Sequence, residues 1–397
     1  MRPDEKLFLL DAYALIYRAY YALIRNPRIN SKGQNTSAIL GFVNTLEEVL
    51  RKEAPTHIGI AFDPSGPTFR HQAYEQYKAQ REETPEGIRF AVPVIKDIIR
   101  AYRIPILEVP GFEADDVIGT LATEAGRRQI DTYMMTPDKD YGQLVGGTVY
   151  IYRPKHTGGF ERMGVEEVKA KFGIASTAQV TDMLGLMGDA SDNIPGCPGV
   201  GEKTAQKLIA QFGNIDNLLQ HTDELKDALR TKVESNREQI QFSKFLATIR
   251  TDVPIELDMQ ALVREEPDAD RLRQLFEELE FRSLIDRVLR RERPAAPSAP
   301  SSAPATLFDT APSSTPAQAT TAQRSLFAEN QAEETDAPKE TILRTLADLQ
   351  TDYQLVDSEE KRAEMLQKLL TTEILAIDTE TTGTEPMEAE LVGMSFS

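Results

Sequence analysis

The chain has 397 residues, 40% hydrophobic and 27% charged, with a formal net charge of −18, which fits a folded protein of one or two domains and excludes a fibrous or wholly disordered chain. No apolar run reaches the ~20 residues that span a bilayer, and MRPDEKLFLLDAY lacks the pattern of a signal peptide, so a cytoplasmic protein without membrane contact is expected. A single cysteine, Cys197, and four scattered histidines exclude an internal disulfide and any zinc-ligand spacing.

Read in chain order, the first 290 or so residues alternate strands and helices. KLFLLDA is a compact apolar strand, and TSAILGFVNTLEEVLRK has the period of an amphipathic helix. THIGIAFD reads as a second strand, RIPILEV as a third and TYMMTPD as a fourth. This alternation predicts an α/β fold, a mostly parallel sheet with helices on both faces, whose ligands bind at the carboxyl ends of the strands.

Acids stand at those ends. Asp11 closes the first strand and Asp63 the second; the third leads into GFEADDVIGTLA, where Glu113, Asp115 and Asp116 open a helix. Asp138 and Asp140 follow the fourth, and GLMGDASDNIPG adds Asp189 and Asp192, spaced three apart as on one helical face. Any one of these could be a helix cap or turn residue. Four successive strand ends carrying acids are another matter, because parallel strands bring them together and the carboxylates repel unless cations neutralise them. Oxygen ligands without His or Cys select hard ions, so two or more Mg²⁺ or Mn²⁺ are expected. Such a pair suits phosphodiester hydrolysis, and a phosphatase could use similar ligands.

Two segments suggest nucleic acid. Between Thr68 and Tyr102, Arg70, Lys78 and Arg81 alternate with Tyr74 and Tyr77, a pattern that can hold phosphates and stack on a base, or simply form a solvated helix pair. GCPGVGEKTAQKLIAQFG is not a Walker A loop, since Glu202 separates Gly201 from Lys203-Thr204 and no strand precedes it. It reads instead as a helix-hairpin-helix-type turn, Gly199, Val200, Gly201, Lys203 and Thr204, placing backbone N–H groups before a DNA phosphate. Charge alone permits a phosphate-binding surface without demanding one: 39 basic and 45 acidic residues precede Pro294, and without the nine clustered acids that balance turns slightly basic.

From Pro294 to about Glu340 the chain is rich in Pro, Ala, Ser and Thr, without apolar periodicity, and is expected to be a disordered linker. Residues 341–397 read as a helix and two strands, a truncated α/β remnant expected to be poorly folded. The remaining boundaries expected are a catalytic core over 1–175, with an arch at about 70–102, and a helical DNA-binding subdomain over 176–293.

LLDAYALIYRAYYAL, AFDPSGPTFRHQAYEQYKAQR, GFEADDVIGTLA, TPDKDYGQLV and GDASDNIPGCPGVGEKTA, in this order, resemble the 5′ nuclease (flap endonuclease-like) family over about residues 5–290. The resemblance implies a PIN-like 5′ nuclease core acting on DNA with 5′ flaps, nicks or RNA primers. The nine acids would ligate or support the metals, and Arg70, Lys78 and Arg81 would lie at a helical arch admitting a single-stranded 5′ end. The Gly199–Thr204 turn would grip duplex, with a monovalent cation. Gln323–Phe327 resembles the short motif that docks on the bacterial sliding clamp. Asp378 and Glu380 resemble the first metal motif of 3′–5′ proofreading exonucleases, but neither proofreading nor nucleotide incorporation is expected of this chain. The rival readings are a Mg²⁺-dependent phosphatase and a non-catalytic module that binds branched DNA.

Overall fold

The run KLFLLD forms strand β1 (Lys6–Asp11), whose Leu7, Phe8, Leu9 and Leu10 are all fully buried. A strand buried on both faces needs neighbours at both edges and cover on both sides. In chain order the partners are β2 (His57–Ala61), β3 (Ile106–Leu107), β4 (Asp131–Met135), β5 (Val149–Pro154) and β6 (Phe160–Met163). The sheet order is β3-β2-β1-β4-β5-β6; all pairings are parallel except β5–β6 at one edge. The computed structural model describes residues 5–155, 159–289, 354–372, 377–381 and 391–396.

Alternate side chains of β1 point to opposite faces and so feed two cores. Phe8 and Leu10 pack with residues of α1 (Ala12–Ala22), α2 (Ser37–Lys52), α4 (Glu86–Ala101) and α12 (Ala269–Glu278). Leu7 and Leu9 belong to the other core, with α5 (Ala114–Arg127), α6 (Val165–Phe172), α7 (Val180–Met187), α8 (Glu202–Phe212), α9 (Ile215–Gln220) and α11 (Arg237–Ala247). The short helices α3 (Phe69–Ala73), α10 (Asp227–Ser235) and α13 (Arg282–Leu289) complete this unit.

The structure corrects two expectations. The stretch 70–102 is not one helical arch: α3 has five residues, turns follow, and α4 is a core helix whose Ile88, Ile95, Ile98 and Ile99 are fully buried. Asp189 and Asp192 do not share a helical face, because Gly188 ends α7 at φ +71° and the chain turns back so that Asp189 bridges Ile194. A Cβ on Gly188 would lie 2.3 Å from the Ile194 carbonyl, so the close backbone crossing that shapes this turn requires glycine. After residue 353 the described residues form a helix and two strands, the elements expected there: α14 (Glu359–Leu370), capped by Ser358, and an antiparallel pair, β7 (Ile377–Thr381) with β8 (Leu391–Phe396). Leu366 and Leu370 of α14 remain exposed. This carboxyl-terminal unit, Ala303–Ser397, is separate from the first, Met1–Ser302. The linker and the Gln323–Phe327 motif lie outside the described residues. Among the described residues no helix is long and apolar enough to cross a membrane.

Candidate active site

Asp11 ends β1 and caps α1, its Oδ1 accepting the Ala14 N–H at 3.1 Å. Its Oδ2 accepts from the Thr136 and Tyr141 hydroxyls, each at 3.2 Å. Asp63, just past β2, accepts the Ala114 N–H at the start of α5 at 2.7 Å. Asp138 and Asp140 follow β4, with the Asp140 N–H donating to Asp138 Oδ1 at 2.9 Å. Parallel pairing puts these ends side by side, and Asp11, Asp63, Glu113, Asp115, Asp138, Asp140 and Asp192 line one cavity of about 680 Å³. Asp116 and Asp189 are not in its lining.

Asp116 is committed elsewhere. It is fully buried and takes a two-pronged contact from the Arg70 guanidinium at 2.7 and 2.9 Å. It also accepts the N–H groups of Glu113 and Arg250 at 3.1 and 2.8 Å. With four donors on two oxygens, it shapes the α5 terminus instead of facing a cation. Arg70 is likewise not a solvent-facing phosphate contact: it is 1% exposed and also donates to Glu113 and to the Leu246 and Thr248 carbonyls. Replacing Arg70 with Met would leave buried carboxylates uncompensated, an expected loss of about 3–5 kcal/mol; a urea midpoint equal to that of the parent would refute this.

Two other expected contacts also change character. Tyr77 is 3% exposed and its hydroxyl, with one proton to donate, lies 2.9 Å from Glu113 and 3.0 Å from Asp192, so its ring is not available for base stacking. Tyr74 packs edge-on against Phe242. Lys78 and Arg81 do reach the cavity. Lys78 Nζ lies 2.8 Å from Glu113 Oε1 and Arg81 lies 2.6 Å from Asp192 Oδ1. Lys78 adopts φ +56°, a strained conformation for a residue with a side chain. The segment is anchored by the Lys78 N–H on the Asp192 carbonyl and by Gln80 on the Ala190 carbonyl.

Gly199 to Thr204 lie where expected, at the start of α8, with Gly199 at φ +76° and Gly201 as the cap. Gly199, Gly201 and Lys203 are exposed. Val200 is 3% exposed and its N–H donates to the Cys197 carbonyl at 3.0 Å, so it packs beneath the turn.

The acids repel one another. Burial and the neighbouring Asp63 push the Asp11 carboxyl up to about 7. Burial and the adjacent Asp138 push Asp140 to about 8. Burial also opposes ionisation of Glu113, but Lys78 and Arg70 outweigh it and hold that carboxyl below its ordinary value. Asp140 Oδ1 is buried without a hydrogen-bond partner. Among the described residues, no three acidic, His or Cys side chains converge as a ready-made cage. Even so, an orphaned carboxylate oxygen beside acids that resist ionisation is the chemistry that hard cations relieve, and the residues fit such ions.

The sequence reading missed the cavity's aromatic wall, Tyr13, Tyr17 and Tyr21 at four-residue spacing on α1. That spacing was visible in DAYALIYRAYY. It also missed Thr136 and Tyr141 behind Asp11, which only the fold brings there.

Comparison with known proteins agrees with this geometry. Residues 6–173 match the family model described as 5′-3′ exonuclease, N-terminal resolvase-like domain, and residues 175–270 match 5′-3′ exonuclease, C-terminal SAM fold. The chain is 40% identical over 287 residues to DNA polymerase I of Bacillus caldotenax, covering 72% of this chain and 32% of that protein. It is 36% identical over 402 residues to DNA polymerase I of Chloroflexus aurantiacus, covering 98% of this chain and 40% of that one. The chain thus spans about a third to two-fifths of the length of these relatives. Among solved structures it is similar to bacteriophage T5 5′-exonuclease with bound zinc, at TM-score 0.53 and 18% identity over 70% of this chain and 99% of that one. It is also similar to a T5 flap endonuclease complex with DNA and metal ions, at TM-score 0.52 and 20% identity over 70% of this chain and all of that one. With both of its domain models matched in order from Lys6 to Asp270, the chain belongs to the 5′-3′ exonuclease family.

Proposed function

We propose that residues 1–293 hydrolyse phosphodiester bonds at or near 5′ ends of DNA, including flaps, nicks and RNA primers, with the help of divalent cations. The observation that carries this reading is the cavity at the strand ends, where seven carboxylates gather, Asp11 and Asp140 resist ionisation, and one buried Asp140 oxygen accepts no hydrogen bond. The cations would be held by Asp11, Asp63, Glu113, Asp115, Asp138, Asp140 and Asp192, with Asp116 in support; Asp189, across Lys139 from Asp140, could take an ion once Lys139 releases it. Held there, Mg²⁺ or Mn²⁺ would supply the Lewis acidity that such hydrolysis needs at the attacking water and the leaving 3′-oxygen.

The chain's own groups do the rest. Lys78 and Arg81 enter the cavity from the segment after α3 and can bind a phosphate that displaces their carboxylate partners. Arg70 fixes Asp116 and Glu113, and through them the start of α5. Tyr13, Tyr17 and Tyr21 provide an apolar wall against which sugars and bases can lie. Gly199, Gly201 and Lys203, exposed in the turn, would offer a helix start to a duplex phosphate, where a monovalent cation could also sit, while the Val200 and Thr204 N–H groups are already taken by the Cys197 and Gly201 carbonyls. In this assignment residues 1–175 are the catalytic core and 176–293 the DNA-binding subdomain. In the cell the activity would remove primers and trim flaps, close to the nucleoid. The resemblance of Gln323–Phe327 to a clamp-docking motif would add a tether, on sequence grounds alone.

Cleavage of a 5′-labelled flap duplex tests the proposal. Mg²⁺-dependent cutting near the junction is expected, abolished by EDTA and reduced at least about 100-fold in Asp63→Ala. Hydrolysis of small phosphomonoesters but not of the flap would favour the phosphatase. Tight flap binding without cutting would favour a non-catalytic module.

A further inference from the structure

Lys139 stands between Asp138 and Asp140 in the chain, and the proposed reaction gives it no task. Its Nζ lies 2.6 Å from Asp189 Oδ2 and 3.6 Å from Asp140 Oδ1, while its side chain keeps 40% of its surface exposed. The other Asp189 oxygen is already taken, accepting the Ser191 N–H at 2.8 Å and the Ser191 hydroxyl. A cation approaching Asp189 can therefore gain a free lone pair most readily on the oxygen that Lys139 holds. Lys78 and Arg81 come from the segment after α3 and pair with Glu113 and Asp192. Lys139 thus neutralises the carboxylate that those two leave alone.

We propose that Lys139 is a positioning residue that acts as a built-in counter-ion. It occupies Asp189 until a divalent cation takes that carboxylate, and so sets how much free metal the site requires. The inference rests on the metal-dependent reading above. The ammonium is a compact charge on a flexible stem, and its partial exposure gives it a way out toward solvent. Withdrawal is favoured because Lys139 and an arriving divalent cation repel within a few ångströms while competing for Asp189 and Asp140. Lys171 and Arg153 lie nearby: the ammonium of Lys171 is held below its ordinary value by burial and by the charges of Arg153 and Lys139. Asp138 and Glu161 act on Lys171 in the opposite sense, and Arg153 is itself paired with Glu161.

The test is calorimetric titration of the full chain with Mn²⁺ alone, without DNA, for the parent, K139M, K139R and the same change in a D189N background. Removing the competing ammonium is expected to tighten Mn²⁺ binding about five- to tenfold in K139M. K139R, which keeps the charge, should stay near the parent. In D189N the K139M change should have little further effect. Thermal unfolding in EDTA provides the second readout: K139M should be less stable without metal while binding metal more tightly. A purely structural tie would lower both. If the parent takes up Mn²⁺ and K139M binds it equally or more weakly, the counter-ion role is wrong and the metal site stands. If the parent takes up no divalent ion, the metal-dependent reading fails and this inference fails with it.

Discussion

Asp140→Asn is expected to make the metal-free protein more stable and the enzyme nearly inactive. Asp140 has one buried oxygen without a partner, and its nearest cation, Lys139, is 3.6 Å away and better paired with Asp189. Burial and the charges of Asp138, Asp189 and Asp192 push its carboxyl up to about 8, so at neutral pH ionising it in the fold is unfavourable. An amide of the same shape removes that repulsion, which should add on the order of 1–2 kcal/mol to stability in EDTA. The same change removes an anionic ligand and should lower flap cleavage about 100-fold or more. Urea unfolding in EDTA, paired with a cleavage assay in Mg²⁺, measures both effects. A variant that is less stable than the parent in EDTA would show that the Asp140 carboxylate is not strained by its neighbours. Asp116→Ala provides the contrast. It removes a fully buried partner of Arg70 and should destabilise the chain. Two acids of one motif set would thus respond in opposite directions.

The distinction between those two acids was not legible in the sequence. The strands were, because Leu7 to Leu10 and His57 to Ala61 form apolar runs that only a sheet covered on both faces can bury. The convergence of Asp11, Asp63, Glu113 and Asp138 followed from the same rule, since parallel strands share an end. Which carboxylate faces the cavity depends on Arg70, forty-six positions before Asp116 in the chain, meeting it through tertiary packing. No local pattern encodes that meeting. Basic and aromatic residues from Arg70 to Arg81 suggested an exposed surface, yet Arg70 and Tyr77 are buried as partners of the acids, and Lys78 and Arg81 alone point into the cavity. Composition reports which charges are present, and only packing decides whether they meet solvent or one another. Strand β5, VYIYRP, does carry the β-branched and aromatic residues of a strand, a signal the sequence reading missed. Its pairing partner FERM is short and polar and forms a strand only beside it.

A second large effect concerns pH. Asp11 and Asp140 have folded-state values of about 7 and about 8, against an ordinary carboxylate value of 3.8 in the unfolded chain. Between those limits the folded protein keeps protons that the unfolded chain has lost. Stability contributed by these groups is therefore present near pH 4 and falls as pH rises toward 8. Glu113 and Asp189 are held below their ordinary values, so their contribution is complete above the ordinary range, is lost only on acidification, and does not offset the decline. In EDTA the chain should lose about 2–4 kcal/mol of stability between pH 5 and pH 8. Saturating Mg²⁺ should remove most of that slope, because cations bind the ionised carboxylates and replace the protons. Metal affinity must then rise with pH, with protons released on binding. Urea midpoints at pH 5 and pH 8, each with EDTA and with Mg²⁺, measure the four corners of this cycle. A metal-free chain as stable at pH 8 as at pH 5 would mean that Asp11 and Asp140 ionise freely in the fold. The cavity would then have lost the unfavourable charge on which its fit to cations depends.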